Sequence, residues 1–218
     1  MKHQVKVWDL PTRIFHWILV VGVLFMWFSA NEGGAWLAWH LRVGLALLAL
    51  VAFRIVWGFV GSDTARFRQF VKGPSQIKRY LRNEISENEQ PGHNPLGALM
   101  VVAMLLALLF QVASGLFAVD ANSYLYNGYL QHLVSEEEGS AARFVHVNFF
   151  WILVGMIALH VLAVLAYRFL KNNNLIKPMI TGKKTLEEPL PALRFASPVK
   201  AAVIFAVLAV LAYLISLA

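Results

Sequence analysis

The 218-residue chain contains no cysteine. That absence excludes disulfides, cysteine-ligated iron–sulfur clusters and c-type haem attached through a CxxCH motif. Charge is scarce as well. Asp, Glu, Lys and Arg make up 14% of the residues, against about 25% in soluble domains. With 59% hydrophobic residues and a mean hydropathy of +0.61, the deficit points to lipid rather than water as the main solvent. Acidic residues are the rarer sign, 12 against 19 basic, and the formal net charge is +7. In a soluble chain that balance would raise the question of nucleic acid. Here basic loops have a simpler origin in membrane topology, and no nucleic-acid partner is expected. Internal repeats, low-complexity tracts, phosphate-binding loops and nucleophile elbows are missing too.

What the chain does have is long apolar runs. About 20 apolar residues cross roughly 30 Å of hydrocarbon. Five stretches qualify: Thr12 to Ser29, Trp36 to Val60, Pro95 to Val119, Ala142 to Leu170, and Pro198 to Leu217. The first reads as a retained signal-anchor helix. Phe28-Ser29-Ala30 is a weak cleavage site, and cleavage there would remove His16. Asn94-Pro95 reads as an N-cap followed by proline at the first helical position of the third span. Gly73-Pro74 and Pro91-Gly92 punctuate the long loop before it. Pro189, Pro191 and Pro198 resist helix ahead of the fifth span. The stretch Ala121–Glu138 is long enough for a short surface helix.

Lys and Arg set the expected orientation. Lys2, Lys6 and Arg13 precede the first span. Arg66, Arg68, Lys72, Lys78, Arg79 and Arg82 lie between the second and third. Lys171, Lys177, Lys183, Lys184, Arg194 and Lys200 lie between the fourth and fifth. The opposite loops hold only Arg143, beside Asp120 and Glu136-Glu137-Glu138. The N-terminus is therefore expected in the cytoplasm and the C-terminus in the periplasm, with a bacterial inner membrane as the location.

Ionisable residues inside spans are rare and usually functional. Four of the seven histidines sit there: His16, His40, His146 and His160. The expected topology sorts them into two layers. His16 and His160 fall in the inner leaflet, His40 and His146 in the outer. Fourteen residues separate His146 from His160, a rise of about 21 Å that returns to within about 40° of the same helix face. One helix can thus offer an imidazole to each of two stacked cofactors. Imidazole is a common axial ligand of haem iron, so the expected metal ligands are His16 with His160 and His40 with His146, around two haems b. Two imidazoles per iron leave no open position, which suits electron transfer. A lone membrane histidine is equally often an interhelical hydrogen-bond partner; two leaflet-matched pairs weigh against that for all four.

Arg13 and Arg143 each precede a histidine by three residues, one turn nearer a membrane surface. Each can pair with a haem propionate, or simply snorkel at a helix end. Arg54 lies fourteen residues after His40 and reaches the level of the inner haem. Arg42 is about 200° from His40 and serves another partner. His3, His93 and His132 read as solvated surface, His93 with a possible place in a quinone pocket or proton path. Trp17, Trp27, Trp36, Trp39, Trp57 and Trp151 mostly fall near the interfaces, where aromatic belts are expected.

Several of these segments resemble the bacterial cytochrome b561 and nickel-hydrogenase-type cytochrome b family. Val7-Trp8-Asp9-Leu10-Pro11-Thr12-Arg13-Ile14-Phe15-His16-Trp17 is similar to its N-terminal signature. Phe53-Arg54-Ile55-Val56-Trp57-Gly58-Phe59-Val60-Gly61 resembles the end of its second helix, and Gly92-His93-Asn94-Pro95-Leu96-Gly97-Ala98 the entry to its third. His146 and His160, followed by Asn174-Leu175-Ile176-Lys177-Pro178-Met179, resemble its fourth helix and exit. The resemblance spans about residues 5 to 182.

It implies an all-α integral membrane protein, a four-helix haem-binding bundle with His16, His40, His146 and His160 as axial ligands, exchanging electrons with quinone or quinol. The fold expected here is that bundle over residues 1–182. A linker and a fifth C-terminal transmembrane helix, without histidine, occupy 183–218. The expected role is electron transfer between the quinone pool and a periplasmic c-type cytochrome or oxidoreductase subunit, as in a respiratory chain. Two alternatives stay open. One is a stand-alone superoxide:quinone oxidoreductase, which predicts a positively charged approach to the outer haem. The other is a haem-free transporter or anchor, which predicts colourless purified protein.

Overall fold

The five apolar runs become five long helices in the computed structural model, which describes residues 3–85, 89, 91–120, 122, 125–186 and 192–218. They are α1 (Leu10–Glu32), α2 (Trp36–Val60), α5 (Pro95–Phe117), α6 (Glu136–Leu170) and α8 (Pro198–Ile215), each long and apolar enough to cross a membrane. Short helices α3 (Phe67–Phe70), α4 (Pro74–Leu81) and α7 (Ile176–Thr181) lie in the connections. A two-stranded antiparallel ribbon joins β1 (His3–Lys6) to β2 (Lys183–Leu186), with Lys6 opposite Lys183 and His3 opposite Leu186. The chain is an all-α multi-pass membrane protein apart from this ribbon. Lys2, Ala121, Pro189 and Pro191 lie outside the described residues.

Caps explain where two helices start earlier than their apolar runs. Asp9 Oδ1 accepts from Thr12 N at 2.8 Å and opens α1 before Pro11. Ser135 and Glu138 form a reciprocal capping box. Glu138 Oε2 accepts from Ser135 N at 2.8 Å, and Ser135 Oγ accepts from Glu138 N at 3.2 Å. That box lets α6 begin at Glu136, six residues before the apolar run. Asn94 caps α5 as expected, its Oδ1 accepting from Gly97 N at 2.7 Å.

The short surface helix expected over Ala121–Glu138 does not form: among its described residues there is one 3-10 turn, Gln131–Leu133, before α6 starts. The reason is competition for backbone partners. Gly128 N and Leu130 N donate to Ala118 O and Leu116 O, at 2.7 and 2.8 Å. The loop thereby satisfies the open carbonyls at the end of α5 instead of its own.

Packing divides the chain into two compact units. The first comprises Met1–Phe15, Arg54–Ala103 and Ala158–Ala202; the second comprises His16–Phe53, Met104–Ile157 and Val203–Ala218. In the first, Val7 and Trp57 are wholly buried. In the second, Val51 and Leu153 are the best-buried large side chains. Large apolar residues elsewhere on the long helices face outward, Val21 at 66% and Leu162 at 63% exposure. In water such a surface would drive aggregation; in lipid it is the expected outer face.

Candidate functional site

In the second unit α2 and α6 bring the rings of His40 and His146 together edge-on, centres 6.2 Å apart and planes 82° to each other. Both rings are half-buried. His40 Nδ1 lies 3.1 Å from the Met26 carbonyl oxygen and 3.1 Å from Ser29 Oγ. A carbonyl only accepts, so Nδ1 carries the proton and Nε2 keeps its lone pair. His146 Nδ1 donates in the same way to the Gln111 carbonyl oxygen at 2.8 Å, and the Gln111 side-chain Nε2 donates to His146 O at 2.9 Å. Gly115 on α5 makes room for this ring. A Cβ there would stand 2.7 Å from His146 Cε1.

His16 is the first residue of the second unit, its ring edge-on to Trp17 at 5.0 Å. His160 belongs to the first unit. Both are half-buried.

The first unit holds a polar cluster built on the N-terminal signature. Asp9, 2% exposed, caps α1 with one carboxylate oxygen and with the other accepts from Trp57 Nε1 at 2.9 Å. Arg54, also 2% exposed, carries its guanidinium 5.4 Å over the Phe67 ring. Its Nη1 is buried with no hydrogen-bond partner among the described residues. Arg13 donates to the Ile180 carbonyl and lies against Gly182. Arg143 is exposed. Arg42 sits 5.0 Å over Trp39.

Two readings of single residues need correction. Trp57 is no belt residue: it is fully buried and hydrogen-bonded to Asp9. His93 is not solvated surface. Its ring is wedged between Trp8 at 4.6 Å and Phe70 at 4.4 Å, and its Nδ1 is buried without a partner among the described residues. Burial, with Arg54 and His160 nearby, pushes its pKa from 6.5 down to about 3. The signal for Asp9 was in the sequence, since Asp-Leu-Pro before an apolar run is an N-cap pattern. Its bond to Trp57 joins residues 48 positions apart, and no local pattern announces it.

Long apolar helices that bring two imidazoles together define the class as a membrane protein with a histidine-lined site. The prokaryotic cytochrome b561 family matches residues 7–182. The chain belongs to that family, and is a membrane b-type cytochrome. It is also similar to a protein of Rhizobium leguminosarum bv. viciae described as a probable Ni/Fe-hydrogenase B-type cytochrome subunit. The two are 23% identical over 223 residues, covering 86% of this chain and 91% of the relative. No solved structure matches.

Proposed function

We propose that the chain holds two haems b, one between His40 and His146 and one between His16 and His160. It carries electrons between a membrane quinone and a redox partner on the periplasmic side of the bacterial inner membrane, an oxidoreductase subunit or a c-type cytochrome. The hydrogenase description of the relative supports a redox-enzyme partner.

The observation that carries this reading is the His40–His146 pair. Imidazoles sharing one metal ion, each with a nitrogen about 2 Å from it, stand with ring centres roughly 6 Å apart; the pair measures 6.2 Å. Each ring spends its Nδ1 proton on a backbone carbonyl. Metal-binding histidines are held in that way, with the second nitrogen fixing tautomer and orientation. When bound, haem supplies a one-electron iron couple. The chain's own residues supply the rest. Met26, Ser29 and Gln111 orient the rings. With both rings as ligands, the iron would have no open position for oxygen or substrate.

For the second haem the support is spacing. Asp9 fixes the start of α1, and His16 follows two turns later. His160 repeats the face of His146 one level along α6. Of the three arginines placed near the haems, Arg54 and Arg13 each keep a buried nitrogen for a propionate. The buried Nη1 of Arg54 has no hydrogen-bond partner among the described residues, a place that a propionate oxygen would fill. Arg13 gives one nitrogen to the Ile180 carbonyl while its Nε has no hydrogen-bond partner among the described residues, and Arg143 lies at the surface. Helix α8 has no histidine and takes no cofactor role, so residues 1–182 form the cofactor-binding part and 183–218 an addition to it.

The test is haem per chain on detergent-purified protein, by pyridine haemochrome with a reduced-minus-oxidised spectrum, followed by reduction with a short-chain quinol. Two low-spin b haems per chain, reducible by quinol, are expected. One haem would break a pair, and a colourless protein would overturn the reading.

A further inference from the structure

Where α6 ends, the sequence turns uniformly basic. From Arg168 to Leu186 there are five basic residues and no acidic one. The fold gathers four of them, Lys171, Lys177, Lys183 and Lys184, around one polar cavity of about 260 Å³, with Asn174 and Thr185 beside them. Among the described residues, no Asp or Glu lines it. The cavity belongs wholly to the first unit.

Its walls are held by specific contacts. Asn174 Oδ1 accepts from Ile176 N and Lys177 N, both at 3.0 Å, and starts α7. Gly182, at φ 79°, turns the chain out of α7 into β2, a backbone angle that favours glycine. Its carbonyl accepts from Val7 N at 2.7 Å and Trp8 N at 3.1 Å. The ribbon register then sets Lys183 directly opposite Lys6. Like charges facing each other across an antiparallel pair repel. Lys177 and Lys183 have no ion-pair partner among the described residues. Lys171 is held at the rim by the rings of Tyr167 and Tyr80, at 5.3 and 5.7 Å, contacts that leave its charge uncancelled. Among the described residues, the charges of Lys171, Lys177 and Lys183 are therefore not neutralised by these contacts.

Position indicates what would neutralise it. Lys171 follows directly on Leu170, the last residue of the longest apolar helix. The cavity therefore opens at the level where lipid hydrocarbon gives way to phosphate. Lysine is a strong point-charge binder of phosphate, and basic pockets at the ends of transmembrane helices suit acidic head groups. We propose that this cavity binds a phosphate-bearing anion, and that its occupant in the membrane is the head group of an anionic phospholipid. A zwitterionic head group, with its own ammonium beside the phosphate, would gain far less.

The test is native mass spectrometry of the haem-loaded, detergent-purified protein with equal amounts of dioleoyl-phosphatidylglycerol and dioleoyl-phosphatidylcholine. The phosphatidylglycerol adduct is expected to outlast the phosphatidylcholine one. Lys177→Gln and Lys183→Gln are each expected to weaken phosphatidylglycerol retention about fivefold, with the visible spectrum unchanged as evidence of folding. Equal retention of the two lipids by the unaltered protein would overturn the proposal, whatever the variants do. So would phosphatidylglycerol retention that ignores both substitutions in a protein with an intact spectrum. Displacement of the lipid by millimolar inorganic phosphate would overturn the lipid as occupant and leave a site for free phosphate.

Discussion

Gly115→Ala is a one-methyl test of the His40–His146 geometry. The added Cβ would lie 2.7 Å from His146 Cε1 and 2.9 Å from its Nδ1. Carbon atoms settle about 3.5–4.0 Å apart, so the ring must withdraw by about 1 Å. It is not free to do so, because Nδ1 is bound to the Gln111 carbonyl at 2.8 Å. Withdrawal gives up that bond, worth about 1 kcal/mol, and overpacking of this kind typically costs about 1–3 kcal/mol. It also shifts the His146 ring relative to that of His40. Loss of an orienting contact behind a metal ligand lowers affinity about 10–100-fold. The helix itself gains from the change, since alanine is favoured over glycine there by roughly 0.5–1 kcal/mol. A defect would therefore belong to the site rather than to the helix. The assay is a haem-loading titration with the reduced-minus-oxidised spectrum recorded at each point. One of two haems is expected to load about 10–100-fold more weakly. Gly155→Ala is the control, at an exposed position with nothing within 4 Å of the added methyl. If Gly115→Ala loads both haems like Gly155→Ala, with unchanged midpoint potentials, the paired-imidazole argument fails.

Other expectations rest on separate contacts. His160→Ala should leave one haem per chain, because His40 and His146 are untouched; two haems or none would sink the pairing. Asp9→Ala removes a helix cap, about 1 kcal/mol, and takes from buried Trp57 Nε1 its bond to the carboxylate, about 1–3 kcal/mol. A drop of roughly 2–4 kcal/mol should appear as a lower Tm followed by Soret absorbance, and an unchanged Tm would show the network to be dispensable. His93 is neutral in the fold, with its pKa depressed from 6.5 to about 3. As pH falls below about 6.5 the unfolded chain takes up a proton that the fold refuses, so stability declines with falling pH, by up to about 1.4 kcal/mol per unit. His93→Phe should lose less Tm than the parent between pH about 7.5 and about 5, and parallel losses would mean that His93 is solvated.

The long helices were legible because lipid imposes a simple pattern. A span must be apolar over its whole length, so Trp36–Val60 reads directly from the sequence with both ends correct. Starts were less legible where a polar cap extends a helix beyond its apolar run, as Asp9 does for α1 and Ser135 for α6. The meeting of His40 with His146 was legible because topology sorts residues by depth, and depth is one coordinate that a sequence carries. The Asp9–Trp57 bond and the wedging of His93 were not, because both depend on how loops close over helix ends. An isolated aspartate beside a basic segment looks solvated, and a tryptophan at a helix end looks interfacial. The ribbon was invisible for a related reason. Two four-residue strands nearly 180 positions apart have no local period to detect.

That ribbon has a consequence for biogenesis. β1 leaves the ribosome before α1, α2, α5 and α6, and β2 emerges only after all four have been made. Four crossings is an even number, so the chain is back on the starting side when the partner strand arrives. At about 5–20 residues per second, the first strand waits roughly 10–35 s for it. Until then Val7 and Trp8 lack the Gly182 carbonyl that both bind. The N-terminal signature, with His16 beyond it, is thus synthesised early and fastened late. The closing of two short strands is thus the step that completes the contacts of the N-terminal signature.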